Sequence, residues 1–282
     1  MARVFLMGLM VLPILIAGMS KRTSGQDFGP GNLYHWAYSP AFGTGAYQIG
    51  DEETFVVTVK PRFRLRNIKK HGYAFNLRVP ISIGLQTINP EEFNFQGLEE
   101  TFTTISVVPG VEFFLPLTQR WMIRPFANAG WGTTVTGDES AWIYFGGVDS
   151  RYTFGWGKAD LSLLNGLQWY GYTPNPGGSN AFGRFLAGLE ADHPLGKATF
   201  RGQQLLIRPH ILYYWYFNEI DFQVFLEQPV SINQEVEVAL AIGTKDLQKF
   251  WLLWADRIGI GYRFSEDSQG IRVFLRSVFD YP

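Results

Sequence analysis

Two long stretches of the sequence alternate between apolar and polar side chains. In 53–66 one face is apolar and the other carries mainly Thr, Lys and Arg, with Val56 as the exception. The stretch 73–86 repeats the alternation. A period of two is typical of a strand with unlike faces, because neighbouring side chains point to opposite sides. In a helix the apolar set would wrap around the axis, so both stretches are predicted strands.

The same alternation continues along the chain and predicts an all-β fold. Twelve strands result if the weaker aromatic segment 33–39 is the first, and the predicted strands are 33–39, 53–66, 73–86, 101–115, 121–133, 141–154, 159–172, 182–194, 204–217, 234–244, 255–265 and 270–280. Short links alternate with longer ones rich in Gly, Asn, Pro and acid, except that 266–269 is short. Short turns at one rim and long loops at the other are typical of outer-membrane barrels. We therefore predict a transmembrane antiparallel up-and-down β-barrel of about 12 strands, with its short turns in the periplasm.

Alternation alone does not separate a membrane barrel from a soluble periplasmic β-protein, which would bury its apolar stripe. Most predicted strands run 11–14 residues, longer than the ~5–6 of globular strands and suited to a tilted span. Trp121 and Trp131 share one face; ten residues separate them by ~33 Å along the strand, or ~25 Å along the membrane normal after tilting. They are candidates for an aromatic girdle. Against a membrane barrel stand five prolines in predicted strands, which require bulges or positions near a rim: Pro61, Pro80, Pro109, Pro125 and Pro209.

The first twenty residues have the layout of a secretory signal peptide. Arg3 precedes an apolar run at 4–18, and small residues at Gly18 and Ser20 fit a cleavage site before Lys21. We predict a signal peptide at 1–20, a short periplasmic segment at 21–31 and a single outer-membrane barrel at 32–282. A chain without cysteine has no lipidation site and no Cys-based metal site. No later stretch offers 18 consecutive apolar residues, so a spanning protein would cross with strands.

Localisation and composition together set the expected partners. We expect the bacterial outer membrane as the location, with outer-membrane lipid and lipopolysaccharide and the barrel-assembly machinery as partners. The chain carries 24 Lys and Arg against 25 Asp and Glu, which argues against a nucleic-acid partner because such binding needs a basic surface. The sequence gives no indication of the oligomeric state.

Three stretches resemble the solitary autotransporter β-barrel family, whose barrels are similar to the type V secretion translocator but carry no passenger. They are Pro-Leu-Thr-Gln-Arg-Trp-Met-Ile-Arg-Pro-Phe-Ala-Asn-Ala-Gly-Trp-Gly at 116–132, Arg-Tyr-Thr-Phe-Gly-Trp-Gly-Lys at 151–158 and Gly-Arg-Phe-Leu-Ala-Gly-Leu-Glu at 183–190. The likeness covers roughly 50–282. It implies a twelve-stranded barrel and brings no catalytic residues. We expect no secreted passenger, because only 21–31 precede the barrel.

A further resemblance concerns barrel assembly. The stretch 268–275 is similar to the assembly signal of such barrels, a polar residue followed by Gly and two alternating hydrophobic residues. Gly270, Val273 and Leu275 are the candidate residues of this signal. The chain ends in Tyr281 and Pro282, where the family pattern has a terminal Phe or Trp.

Motif searches favour a role without catalysis. No GxSxG, HExxH, P-loop or dinucleotide fingerprint is present, and we predict no catalytic residue, no metal and no cofactor. Of four histidines, only His210 falls mid-strand on an inward face. Paired carboxylates at Glu190 and Asp192, and at Glu235 and Glu237, could in principle perform acid–base chemistry. A barrel enzyme and a soluble periplasmic β-protein therefore rank behind the two functions considered next.

The interior of a twelve-stranded barrel fits either of two functions, because its width lies between a filled and an open barrel. A structural or assembly-related barrel would fill its lumen with its own side chains. A small-solute pore would use a basic stripe, which would favour anions. The stripe consists of Lys60, Arg62, Arg64 and Arg66 on one predicted strand, with Arg78 on the next. For the stripe, the alternative to a pore is pairing with Glu112, Asp149, Asp160 and Glu190. The candidate lumen-lining residues are Lys60, Arg62, Arg64, Arg78, Arg124, Glu190, Arg208 and His210.

Overall fold

A computed structural model of the chain describes residues 39–49, 52–87, 102–134, 139–175, 179–222, 230–250 and 253–276. Its strand segments form a single antiparallel sheet that closes into a barrel, because each strand pairs with two neighbours. The segments are β1 Gly45–Ile49, β2 Glu52–Val59, β3 Arg62–Arg66, β4 Ala74–Arg78, β5 Ile81–Thr87, β6 Phe102–Val107, β7 Gly110–Pro116, β8 Trp121–Thr134, β9 Ser140–Trp156, β10 Ala159–Asn175, β11 Asn180–Phe200, β12 Gln203–Phe222, β13 Val230–Phe250, β14 Leu253–Phe264 and β15 Ser268–Phe274.

The fifteen segments make twelve strands, because three strands are each interrupted once. β2 continues into β3, β4 into β5 and β6 into β7, and each pair is separated by two residues. The first strand, β1, pairs with the last, β15, over Gly45–Ile49 and Ser268–Arg272. The predicted all-β, twelve-stranded antiparallel barrel is confirmed.

Each of the three interruptions falls at a proline, which has no N–H to donate to the neighbouring strand. Pro61, Pro80 and Pro109 occupy the breaks in three adjacent strands. The carbonyl of each proline still accepts one backbone hydrogen bond from the next strand: Val79 N to Pro61 O at 3.0 Å, Val108 N to Pro80 O at 2.9 Å and Ala129 N to Pro109 O at 3.0 Å. Pro125 and Pro209 lie within the unbroken segments β8 and β12.

The structure differs from the prediction at the beginning of the barrel. The first described strand is β1, Gly45–Ile49, which lies inside the predicted loop 40–52. Ser39 begins α1, Ser39–Phe42, and Gly43, with a φ of 86°, ends it. Residues 33–38, like the predicted signal peptide 1–20 and periplasmic segment 21–31, lie outside the described residues. β1 was not predicted, because an alternation of apolar and polar residues is not recognisable over only five residues.

Two predicted links, 195–203 and 245–254, are largely strand. β11 continues to Phe200 through an irregularity between Pro194 and Thr199. The Gln204 side-chain amide holds this bulge, donating to the carbonyls of Gly196 at 3.2 Å and Ala198 at 3.0 Å. These bonds occupy carbonyl groups that a bulge removes from the ladder, so the strand pair continues to the turn at 201–202.

The connections between strands form two sets, according to the end of the barrel at which the joined strands meet. The turn-rim connections are 67–73, 117–120, 157–158, 201–202 and 251–252, and the loop-rim connections are 50–51, 88–101, 135–139, 176–179, 223–229 and 265–267. In the first turn, α2, Ile68–His71, begins at Asn67, whose Oδ1 accepts from Lys69 N at 2.8 Å, and ends at Gly72, whose φ is 76°. No helix among the described residues is long and apolar enough to span a membrane.

Side chains alternate between the two sides of the barrel wall. Along β8, Arg124, Phe126 and Asn128 are buried inside, whereas Ala127, Ala129 and Trp131 are exposed outside. The outer surface is apolar, as Ile258 (64% exposed), Ile260 (58%) and Trp142 (58%) illustrate. The inside combines an aromatic and aliphatic cluster with many buried charges. Val56, which breaks the alternation of its strand, belongs to that inner cluster.

Candidate functional site within the barrel

Glu112 is the centre of the first group of charges inside the barrel. It faces inward from β7 and has no exposed surface. Arg62 Nε lies 3.0 Å from its Oε1, and Arg78 and Arg124 each place a terminal nitrogen 3.7 Å from its Oε2. Asn76 Nδ2 also donates to Oε1 at 3.0 Å. One carboxylate therefore contacts arginines from three neighbouring strands, and it balances part of their positive charge.

A chain of polar contacts continues from Arg124 around the wall. Arg124 Nε donates to Asp149 Oδ2 at 3.2 Å, and a second guanidinium nitrogen contacts the same oxygen. Gln168 Nε2 donates to Asp149 Oδ1 at 2.7 Å, and Gln168 Oε1 accepts from Arg184 Nε at 2.7 Å. Arg184 also donates to Tyr170 Oη at 2.9 Å and lies over the rings of Tyr170 and Tyr214. Four strands, β8 to β11, are thus joined across their inner faces.

Glu190 organises a second group on the same wall. Arg151 Nη2 lies 3.0 Å from Glu190 Oε1, and Arg257 Nη1 lies 2.5 Å from Oε2. Beside it, Arg208 pairs with Asp192 at 3.1 Å and with Asp256 at 2.8 Å. Because each acid has a cation at contact distance, these groups neutralise one another.

Glu235 and Glu237 form a third group near the closing seam of β1 and β15. His210 Nε2 lies 3.1 Å from Glu237 Oε1, and Tyr214 Oη donates to Glu237 Oε2 at 3.1 Å. Arg272 contacts Glu237, and Arg263 contacts Glu235. Ser268 Oγ donates to Glu235 Oε1 at 3.0 Å. The first residue of β15 is therefore tied to β13 through the interior.

The short helix α1 lies inside the barrel. All four of its residues are buried, and side chains from different parts of the wall hold it. Arg184 Nη1, from β11, donates to Ala41 O at 3.2 Å, and Tyr47 Oη, from β1, donates to Phe42 O at 2.7 Å. The Arg263 guanidinium, from β14, lies 5.5 Å from the centre of the Phe42 ring. α1 thus occupies the lumen at this level.

Aromatic side chains fill the interior next to the charged groups. Phe145 stacks on Tyr170 with ring centres 5.5 Å apart, and Tyr170 stacks on Phe182 at 5.2 Å. Phe182 meets the edge of Tyr216 at 5.6 Å. Arg78 places its guanidinium 4.9 Å from the centre of the Phe126 ring. The arginines of the interior therefore contact aromatic faces as well as carboxylates, and both kinds of contact stabilise buried cations.

The structure places the candidate lumen-lining residues in two environments. Arg78, Arg124, Glu190, Arg208 and His210 are buried inside the barrel, within the groups described above. The strand formed by β2 and β3 carries Lys60, Arg62 and Arg64 on its inward side. Arg62 is half-buried and forms an ion pair with Glu112. Lys60 and Arg64 are exposed towards the turn rim. Asp160, expected inside as a partner, is instead exposed and lies 3.9 Å from Lys245.

The other candidate residues lie on the outer face or at the seam. Trp121 and Trp131 both face outward from β8; Trp121 Nε1 donates to Ser150 Oγ at 2.8 Å, and Trp131 meets Trp142 edge to face at 5.3 Å. Val273 and Leu275 are exposed outside. Gly270 faces inward opposite Tyr47.

Sequence reasoning missed α1, Tyr47 and Arg272 as parts of the interior. α1 and Tyr47 lie in or beside β1, which was too short to show an alternation, whereas Arg272 lies in the predicted strand 270–280, two residues after the inward-facing Gly270. Arg151 was also missed, although its place on the inward side of β9, two residues after Asp149, could have indicated it.

Comparisons with known proteins find similarity in structure and not in sequence. No protein-family model and no curated protein sequence matches the chain. The translocator domain of the autotransporter NalP from Neisseria meningitidis is similar in structure, with a TM-score of 0.57 and 12% identity over 81% of this chain and 82% of that chain. The transport unit of the autotransporter AIDA-I from Escherichia coli gives a TM-score of 0.46 with 11% identity, covering 83% and 88%. The similarity to NalP shows that the chain has the fold of an autotransporter-type barrel.

Proposed function

We propose that the protein is an outer-membrane β-barrel of a Gram-negative bacterium, with a structural or assembly-related role and a closed lumen. The apolar outer face supports a membrane environment, because a soluble barrel would expose polar side chains there. The structural neighbours are named as translocator and transport units. On this proposal, outer-membrane lipid, lipopolysaccharide and the assembly machinery are the partners of the protein.

The observation that carries a closed lumen is the position of α1. The helix is buried among Arg184, Arg263 and Tyr47, which come from separate strands. The carboxylates Glu112, Glu190 and Glu237 each form ion pairs with arginines of the barrel. Charges that are paired in this way are less available to bind an ion that moves through the lumen. This arrangement supports a plugged barrel over an open pore.

A role without catalysis is part of the proposal. His210, the one histidine with a functional interpretation, is 4% exposed and contacts Glu237 and the ring of Phe274, 5.4 Å away. These contacts belong to the packing of the closing seam. The same carboxylate is held by Arg272 and Tyr214, which supports a structural role for the group.

An anion-preferring pore is the second candidate function. Its support is the basic stripe, since Lys60 and Arg64 are exposed beside the partly shielded Arg62. Cations on one strand face raise the local anion concentration where the surrounding walls exclude water. In this case, the interior groups would narrow the passage without sealing it.

Conductance of the refolded protein in a planar bilayer separates the two functions. We expect no steady current from the wild type, and intermittent openings from Phe42→Ala combined with Arg184→Ala, because these changes remove side chains that fix α1. Arg120→Ala, an exposed change at the turn rim, is the matched control and should stay closed. A steady wild-type current whose anion preference inverts with Arg62→Glu and Arg64→Glu would establish the pore instead.

A further inference from the structure

The two sets of connections differ in the charge of their sequences. The turn-rim connections contain five Lys or Arg and no Asp or Glu in sequence. The loop-rim connections contain ten Asp or Glu and no Lys or Arg. The net charge of the chain, −1, conceals this separation. A separation this complete gives each rim a distinct electrostatic environment.

Four of the five basic residues in the turn-rim connections lie in three successive turns on one side of the barrel. Lys69, Lys70, Arg120 and Lys158 are exposed in three successive turns, and we call them the cationic belt. The strands that carry these turns are consecutive neighbours in the sheet, in the order β3, β4, β7, β8, β9 and β10. At about 4.8 Å per strand, the belt spans about 24 Å. Successive turns are therefore about 10 Å apart, close to the screening length in 0.1 M salt, so their fields add.

Exposed apolar side chains accompany the belt. Leu117 (50% exposed) lies in the same turn as Arg120, and Trp156 (71%) lies two residues before Lys158. Leu65 (57%) precedes the turn that holds Lys69 and Lys70. An apolar side chain beside a cation fits the boundary between acyl chains and phosphates in a membrane, because each group meets its preferred environment there.

We propose that the cationic belt binds the phosphate groups of anionic phospholipids in the leaflet that surrounds the turn rim. This inference rests on the proposed membrane location and adds the lipid class that the barrel selects. Three turns can contact several headgroups at once, and the loop-rim connections offer these headgroups no Lys or Arg. The asymmetry therefore also favours one orientation of the barrel in a bilayer with unequal leaflets.

The test measures the lipids that contact the full-length protein. The protein is refolded into phosphatidylcholine bilayers with a trace of spin-labelled phosphatidylglycerol or phosphatidylcholine, and electron spin resonance reports the motionally restricted fraction of each. We expect wild type to prefer phosphatidylglycerol by about fivefold, the ratio that one cation near an anionic surface provides. Lys69→Gln with Arg120→Gln and Lys158→Gln should bring this preference close to one.

The matched control changes the same number of charges at the opposite rim. Glu139→Gln with Glu266→Gln and Asp267→Asn should keep the preference. A restricted fraction without preference in wild type overturns the belt while leaving the membrane location intact; no restricted fraction at all overturns the membrane location itself. Inorganic phosphate should lower the preference more than sodium chloride of equal ionic strength, because it competes with the headgroup phosphates for the belt; equal effects of the two salts would overturn phosphate binding by the belt.

Discussion

Glu112 illustrates how single residues hold the barrel interior together. It is fully buried, and it contacts Arg62, Arg78 and Arg124 as well as the Asn76 amide. Removing one member of a buried ionic group costs much more than the group contributes as a whole, because the remaining charges lose their partner without regaining water.

Glu112→Gln is therefore expected to lower the free energy of unfolding by about 3–5 kcal/mol. Glu266→Gln, the same change at an exposed position of the loop rim, should have little effect. Urea unfolding in lipid vesicles, followed by tryptophan fluorescence, measures both variants. Equal stability of the two would mean that the Glu112 group is open to water.

At the scale of the strands, the seam between β1 and β15 is a short pairing in the barrel wall. Only five residue pairs join these segments. The seam is reinforced from inside, where Tyr47 lies against Gly270 and its hydroxyl bonds to the α1 carbonyls. A Cβ at position 270 would lie 2.5 Å from Tyr47 Cδ1 and 2.9 Å from Ala46 O. The lack of a side chain at Gly270 thus allows the ring to cover the seam.

Gly270→Ala should displace Tyr47 and lower the temperature at which the folded barrel unfolds. Gly155→Ala in β9, where an added Cβ meets nothing within 4 Å, is the matched control. Heat-modifiable gel mobility reports both transitions, and we expect only Gly270→Ala to shift. If both variants unfold together with wild type, the seam does not depend on Tyr47.

From the sequence, the strands and their inward and outward faces were predictable, but the helix α1 inside the barrel was not. A period of two assigns each residue to a face, so the inward positions of Arg78, Arg124 and Glu190 followed without a structure. α1 has four residues and therefore no measurable period. Its position depends on Arg184, 143 residues away in the chain, and a contact of that separation leaves no local signal.

The described part of the barrel has an apolar outer face, and its interior holds many buried charges beside a cluster of aromatic and aliphatic side chains. Leu240, in the middle of β13, and Leu117, in a turn, are exposed to nearly the same extent, 47% and 50%. In a membrane these positions differ, since the first faces acyl chains and the second lies at the rim.

Leu240→Arg should cost about 2–4 kcal/mol of stability in vesicles, whereas Leu117→Arg should cost about 0–1 kcal/mol, because the penalty for a charge depends on its depth in the bilayer. The same urea titration measures both. Cell fractionation provides the parallel check, with the wild type expected in outer membranes. Matching costs for the two variants would indicate that water surrounds the barrel.

The line of prolines has a mechanical consequence. Pro61, Pro80 and Pro109 interrupt three adjacent strands, and a single proline carbonyl bond bridges each interruption to the next strand. A sheet resists bending through the backbone hydrogen bonds between its strands. Along the diagonal line of the three prolines, fewer of these hydrogen bonds are present. We predict that this diagonal acts as a crease, along which lateral pressure from the bilayer bends the wall most easily. Under load the barrel should yield along the crease, leaving the seam between its first and last strands intact.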